Sequence, residues 1–142
     1  MTRFLDANIF IYAYYKPKKP LNQKEKQMKE QAKKIITNIS QAKEEVTTTV
    51  IRISEIVNIL KHGLKVEELN KLILGLFMLD NIKIKSITRE QYLAATELAE
   101  ELELESNDAL AVDTMKQDGI TEIYTFDEDF DNVEGITRLP KL

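Results

Sequence analysis

Short strand-like runs alternate with long helical stretches along the whole of this 142-residue chain. The runs are Thr2–Asp6, Glu45–Thr49, Asn81–Ile87 and Glu122–Thr125, with Ile136–Leu139 as a last strand before Pro140. Helices that alternate with short strands predict a parallel sheet covered on both faces. The expected fold class is therefore α/β, with a central, mainly parallel sheet of four to five strands. The length suits one domain. No internal repeat or linker divides residues 1–142, and Lys16–Gln23 reads as a loop within that domain.

The stretches between the strands carry helical periodicity. Ala7–Tyr15 is apolar and aromatic, a pattern that suits strand or helix; a cap at Asp6 or Asn8 favours a helix. Gln23–Ala42 has Met28, Ala32, Ile35, Ile36 and Ile39 at helical spacing, with lysines on its other faces. Val50–His62 is a helix stopped by Gly63, with a stripe of Ile53, Ile56, Val57 and Leu60. Val66–Leu79 is strongly apolar through Leu69, Leu72, Ile73, Leu76 and Phe77. Its single best reading is core, and it is also a candidate dimer or partner surface. Thr88 and Gln91 form a capping box for a helix whose inner face is Tyr92, Ala95, Ala99 and Leu102. A further helix opens near Asp108 and stops at Gly119.

Composition limits the chemistry. The chain has no cysteine and one histidine, His62. Thiol catalysis, disulfides and multi-histidine zinc sites within one chain are excluded. Any metal site must be built from oxygen, which favours Mg²⁺, Mn²⁺ or Ca²⁺. The net charge of −4 hides a lysine-rich segment, Lys16–Lys34, and an acidic one, Glu97–Glu134. A polyanionic partner is compatible with that distribution. With no signal peptide ahead of the first strand and no apolar run long enough to span a bilayer, a cytoplasmic location is expected.

Four carboxylates stand out. Asp6 ends the first strand. Asp127 follows the strand Glu122–Thr125. Asp108 lies in the first turn of its helix, where an aspartate is also electrostatically favourable. Glu55 lies opposite the main stripe of its helix, between Ile51 and Ile59 at i−4 and i+4. A carboxylate among isoleucines is costly without a partner, and a lysine would serve. Ligands in open parallel sheets bind beyond the carboxyl ends of strands. If the strands of Asp6 and Asp127 are parallel neighbours, their acids share one sheet edge. An all-carboxylate cluster there suits Mg²⁺ or Mn²⁺, with Asn8, Ser54, Asn107 and Thr125 as supporting polar groups. Asp113 points about 140° away from Asp108 and is a second-tier candidate. Asp127–Asn132 resembles the start of an EF-hand loop, but Asn132 stands at its glycine position and Arg138 at its glutamate position.

These residues resemble the motifs of PIN-domain ribonucleases, in order and across nearly the whole chain. The segments are FLDANIFIYA, TTTVIRISEIVNIL, NDALAVDTMKQDGI and IYTFDEDF. The one departure is Ala7, where the family commonly has a hydroxyl residue. The resemblance implies an α/β/α sandwich, three layers deep, and endoribonuclease activity dependent on Mg²⁺ or Mn²⁺. It assigns Asp6, Glu55, Asp108 and Asp127 as catalytic and metal-binding acids, with Asp129 as auxiliary. Asn8 and Thr125 become supporting groups. It also implies RNA as substrate, a homodimer, and a VapC-type toxin role in a type II pair with a small antitoxin. A non-catalytic PIN-like binding module and a structure-specific DNA nuclease are the alternatives.

Overall fold

The computed structural model of the chain describes Met1–Leu142. Five strands form one sheet: β1 (Arg3–Leu5), β2 (Val46–Thr49), β3 (Ile82–Lys85), β4 (Glu122–Tyr124) and β5 (Thr137–Leu139). Their spatial order is β3-β2-β1-β4-β5, and every neighbouring pair is parallel. Six helices connect them: α1 (Ala7–Tyr14), α2 (Gln23–Ser40), α3 (Val50–Leu60), α4 (Val66–Met78), α5 (Arg89–Leu102) and α6 (Ser106–Gln117). A short 3₁₀ turn, Glu128–Asn132, lies between β4 and β5.

Alternation along β1 and β4 generates three layers. Successive strand residues point to opposite faces, so Phe4 and Ile123 enter one core while Leu5 and Tyr124 enter the other. The larger core is filled from α1–α4 by residues such as Phe10, Ile36, Ile53 and Leu69. The smaller joins Phe4 and Ile123 to Val112 and Met115 of α6 and to Phe130. Both central strands are thus covered on two sides, as a parallel sheet requires.

The strand order fixes where chemistry can collect. The chain leaves β1 for β2 and β3 on one side, then returns to β4 and β5 on the other. The order reverses between β1 and β4, the position at which open α/β sheets form a ligand crevice beyond the carboxyl ends of their strands. Asp6 follows β1 and Asp127 follows β4 by three residues.

Local signals mostly explain the helices. Asp6 caps α1, which settles the helix over the strand for that segment. Asn22 and Thr88 both complete capping boxes. Gly119 adopts φ 68° after α6, a conformation that favours glycine. Two expectations need correction. The helix α3 ends at Leu60, before His62, and the N–H groups of Gly63 and Leu64 both bond to the Leu60 carbonyl at 3.0 Å; Gly63 does not use the left-handed conformation. Phe77 of α4 is 55% exposed rather than core, and Met78 is 80% exposed. Only Leu69 and Leu76 of that helix are fully buried. No helix is long and apolar enough to cross a membrane.

Candidate functional site

At the end of β1 the chain turns directly into α1, and Asp6 makes the turn. Its N–H donates to the Tyr124 carbonyl at 3.0 Å, which ties the ends of β1 and β4 together. Its side chain is nearly inaccessible. One carboxylate oxygen, Oδ1, accepts from the Ala7 N–H at 2.7 Å. The other, Oδ2, accepts from the Thr125 hydroxyl at 2.7 Å.

Thr125 organises the β4 side of the crevice. Its hydroxyl has one proton, and Asp6 receives it. The same Oγ1 accepts from Asn8 Nδ2 at 3.0 Å and from the Asp127 N–H at 3.1 Å. Asn8 Oδ1 in turn accepts from the Phe126 N–H at 3.1 Å. These bonds fix the chain leaving β4 against the start of α1. Asp127 then caps the 3₁₀ turn, its Oδ1 accepting from the Asp129 N–H at 2.9 Å. Thr125 thus bonds to Asp6 and to the Asp127 N–H, and Asn8 bonds to Thr125 and to the Phe126 N–H.

Between the acids sits a residue that none of the motif positions includes. Arg52, in the first turn of α3, has a side chain only 3% exposed. Its Nη1 donates to Glu55 Oε1 at 2.7 Å, and its Nη2 donates to Asp108 Oδ1 at 2.8 Å. Its Nε lies 3.0 Å from Asp6 Oδ1, but that N–H has no aligned hydrogen-bond acceptor. The third contact is thus an ion pair rather than a hydrogen bond. Glu55 has the partner its position demanded, an arginine three residues earlier instead of a lysine.

The charges act on one another. Burial alone would lower the pKa of Arg52; the charges of Asp6 and Glu55, with hydrogen bonds to Glu55 and Asp108, outweigh it and hold the value raised. Burial pushes the Asp108 carboxyl up, Arg52 pulls it down, and the charges of Asp6 and Asp127 add to the upward push. The result stands above the ordinary carboxylate value. Asp6, Glu55 and Asp108 therefore meet on one guanidinium, and Asp127 is near enough for Asp108 to sense its charge.

The remaining candidates do not pair with Arg52. Asp129 is exposed, and only its backbone N–H is engaged with Asp127. Asp131 pairs with Arg138 at 2.9 and 3.0 Å. Asp113 accepts from Gln117 at 3.1 Å along α6. Asn107 accepts from the Tyr92 hydroxyl and joins α6 to α5, and Ser54 is exposed on α3.

The donor chemistry of the crevice fits a hard cation, because three of its carboxylates already surround a positive group. In the arrangement seen here, no group of three or more His, Asp or Glu side chains is spaced to hold a metal ion by itself. Arg52 stands among the acids.

The PIN domain family model matches residues 3–136. The chain belongs to the PIN domain family. No curated protein matches the sequence significantly. Among solved structures, the fold is similar to VapC20 of Mycobacterium tuberculosis, described as a sarcin–ricin loop cleaving toxin. The TM-score is 0.67 at 18% identity, covering 92% of this chain and 93% of that one. It is similar to a toxin–antitoxin complex from Klebsiella pneumoniae, with a TM-score of 0.64, 17% identity and 95% of each chain covered. VapBC2 of Rickettsia felis, bound to a DNA fragment from its promoter, matches with a TM-score of 0.62, 17% identity and 97% of each chain covered. The PIN fold is thus shared with VapC toxins over nearly the full chain.

Proposed function

We propose that this PIN-domain protein is an endoribonuclease dependent on Mg²⁺ or Mn²⁺, and the toxin of a type II toxin–antitoxin pair. The observation that carries the reading is the meeting of Asp6, Glu55 and Asp108 on Arg52, beside Asp127, in the crevice where the strand order reverses. Carboxylates crowded this closely need a positive partner. Asp6, Glu55, Asp108 and Asp127, with Asp129 as auxiliary, would hold the ion. When bound, such an ion supplies charge stabilisation at a phosphodiester and acidifies water.

The chain's own residues have separable tasks. Thr125 holds Asp6 through Oδ2 and fixes the chain at Asp127. Asn8 locks the backbone at Phe126. Glu55 lies at the open side of the crevice, its side chain 34% exposed, and suits contact with incoming water or substrate. RNA is the proposed substrate. Relatives solved as toxin–antitoxin complexes support a small antitoxin protein as partner, and a homodimer in the cytoplasm completes the proposal.

A second reading has one observation in its favour. Arg52 already neutralises part of the acid cluster, which suits a non-catalytic binding module. Cleavage of several RNAs with Mn²⁺, against EDTA controls, decides between the two. Activity with Mn²⁺ that falls at least a hundredfold in both Asp6→Asn and Asp108→Asn supports the nuclease. Undiminished cleavage in both variants overturns the site assignment. Absent cleavage together with absent Mn²⁺ binding favours the module, and preferential cleavage of a matched DNA points to a DNA nuclease.

A further inference from the structure

Arg52 occupies a position that helix physics does not favour for a cation. It is the third residue of α3, in the turn where the helix dipole favours negative charge. The side chain there is nearly inaccessible, and burial alone works against a charged group. The acids therefore account for its placement. Each guanidinium nitrogen faces a different carboxylate, on Asp6, Glu55 and Asp108, and those carboxylates come from three separate elements. None of the three has another ion pair.

The three contacts are unequal. Glu55 and Asp108 receive aligned hydrogen bonds. On the Asp6 side, Nε is buried without an aligned acceptor, and Asp6 Oδ1 already accepts from Ala7. The weakest side of the guanidinium thus faces the most deeply buried acid. Its Glu55 side faces the most exposed of the three, so a way out toward solvent lies past Glu55.

We infer that Arg52 is a built-in, displaceable counter-ion. It holds Asp6, Glu55 and Asp108 together in the ion-free protein, and it leaves them when a divalent cation binds. Arginine and divalent ion are alternative occupants of one cage of carboxylates. Arg52 is a positioning residue in this scheme, and it sets the ion concentration at which the site loads. The inference rests on the metal-nuclease reading only in requiring that the cage bind such an ion.

The test measures Mn²⁺ binding calorimetrically in the full chain, in Arg52→Met and in Arg52→Lys, with thermal unfolding followed with and without Mn²⁺. Arg52→Met is expected to bind Mn²⁺ at least tenfold more tightly than the unaltered chain. Without ion it melts lower, because three acids lose their partner, and Mn²⁺ recovers that loss through preferential binding to the folded state. Arg52→Lys carries one point charge in place of a planar fork and falls between the two. In the unaltered chain, Mg²⁺ shifts the Arg52 Nε–Hε resonance and speeds its exchange with water. Equal or weaker Mn²⁺ binding in a folded Arg52→Met overturns the inference, as does an unmoved Arg52 resonance at saturating Mg²⁺. If Arg52→Met does not fold, Arg52→Lys and the resonance decide. Equal binding in all three proteins removes only the role of Arg52. Binding in none of them removes the metal-nuclease reading as well.

Discussion

At Asp108, burial and the charges of Asp6 and Asp127 oppose ionisation while Arg52 favours it, and the carboxyl ends up above its ordinary value. The unfolded chain has no such penalty. Stability from this group is therefore complete below the unfolded value, about 3.9, and is lost as pH rises through the higher folded value. Asp108→Asn keeps an acceptor for Arg52 and removes the penalty. It should be at least as resistant to urea as the unaltered chain at pH 7, with the gap closing as pH falls toward 4. A clear loss of stability at pH 7 would mean that the carboxylate's bond to Arg52 outweighs burial. Thr125 is different, because its hydroxyl serves three partners at once. Thr125→Val strands a buried Asp6 oxygen and two N–H donors, and should cost about 1–3 kcal/mol by urea denaturation, with Thr125→Ser restoring most of it. At this scale the acids were legible in the sequence because they recur in a spaced order with hydroxyl and amide neighbours. Arg52 was not, since a search for anions passes over the cation between them. Its trace was present: Glu55 lacked a partner among isoleucines, and an arginine stood at i−3, a pairing distance on a helix.

Among the elements, α1 shows how a cap and a distant side chain finish an ambiguous segment. Its apolar sequence suits a strand as well as a helix, and Asp6 decides the start. Its end is held by Lys29 of α2, whose Nζ donates to the Tyr12 and Tyr15 carbonyls at 2.9 and 2.7 Å. A cation at a helix C-terminus is electrostatically favourable. Lys29 thereby drops out of the lysines free to meet a polyanion. Lys29→Met should lower stability by about 1 kcal/mol, seen as a lower urea midpoint with an unchanged slope. A neutral result would show that water serves those carbonyls equally well. Helical periodicity located α2 to α5, because each buries one stripe, whereas α1 and α6 were placed by their end signals, Asp6, Asp108 and Gly119. It misjudged Phe77, whose neighbours Leu69 and Leu76 are buried while it faces outward. Apolar spacing marks a face, but only packing shows where that face stops. The strands are shorter than their apolar and β-branched runs suggest, because ladder pairing ends where the chain turns into the next helix or loop, as after Lys85, where β3 stops two residues short of Ile87.

Across the whole molecule, the strand order brings scattered acids to one sheet edge. The sequence suggested a parallel sheet but left open which strands adjoin. Asp6 and Asp127 share an edge because β1 pairs with β4, and that pairing depends on which side of β1 the chain takes after β3. Basic residues lie near the chain that leaves β4. Lys24, at the start of α2, lies 3.9 Å from Glu128 in the 3₁₀ turn after Asp127. Lys18 and Lys19 line a groove with Tyr12, and the Tyr12 ring packs edge-on against Phe126, with 5.1 Å between centroids. A phosphate backbone entering the crevice would pass this lysine edge. Binding should then follow counterion release, with a slope of log K against log salt that falls by about 0.7 for each single-strand phosphate contact removed. The measurement uses Asp6→Asn, in which the proposed cleavage is suppressed. Adding Lys18→Gln, Lys19→Gln and Lys24→Gln together should weaken RNA binding and reduce the slope by about 2 if each lysine meets one phosphate. Folding stability should change by no more than about 0.5 kcal/mol, since all three side chains are exposed. An unchanged slope would identify these lysines as an ordinary solvated face, and the path of the RNA would have to be sought on another side of the crevice.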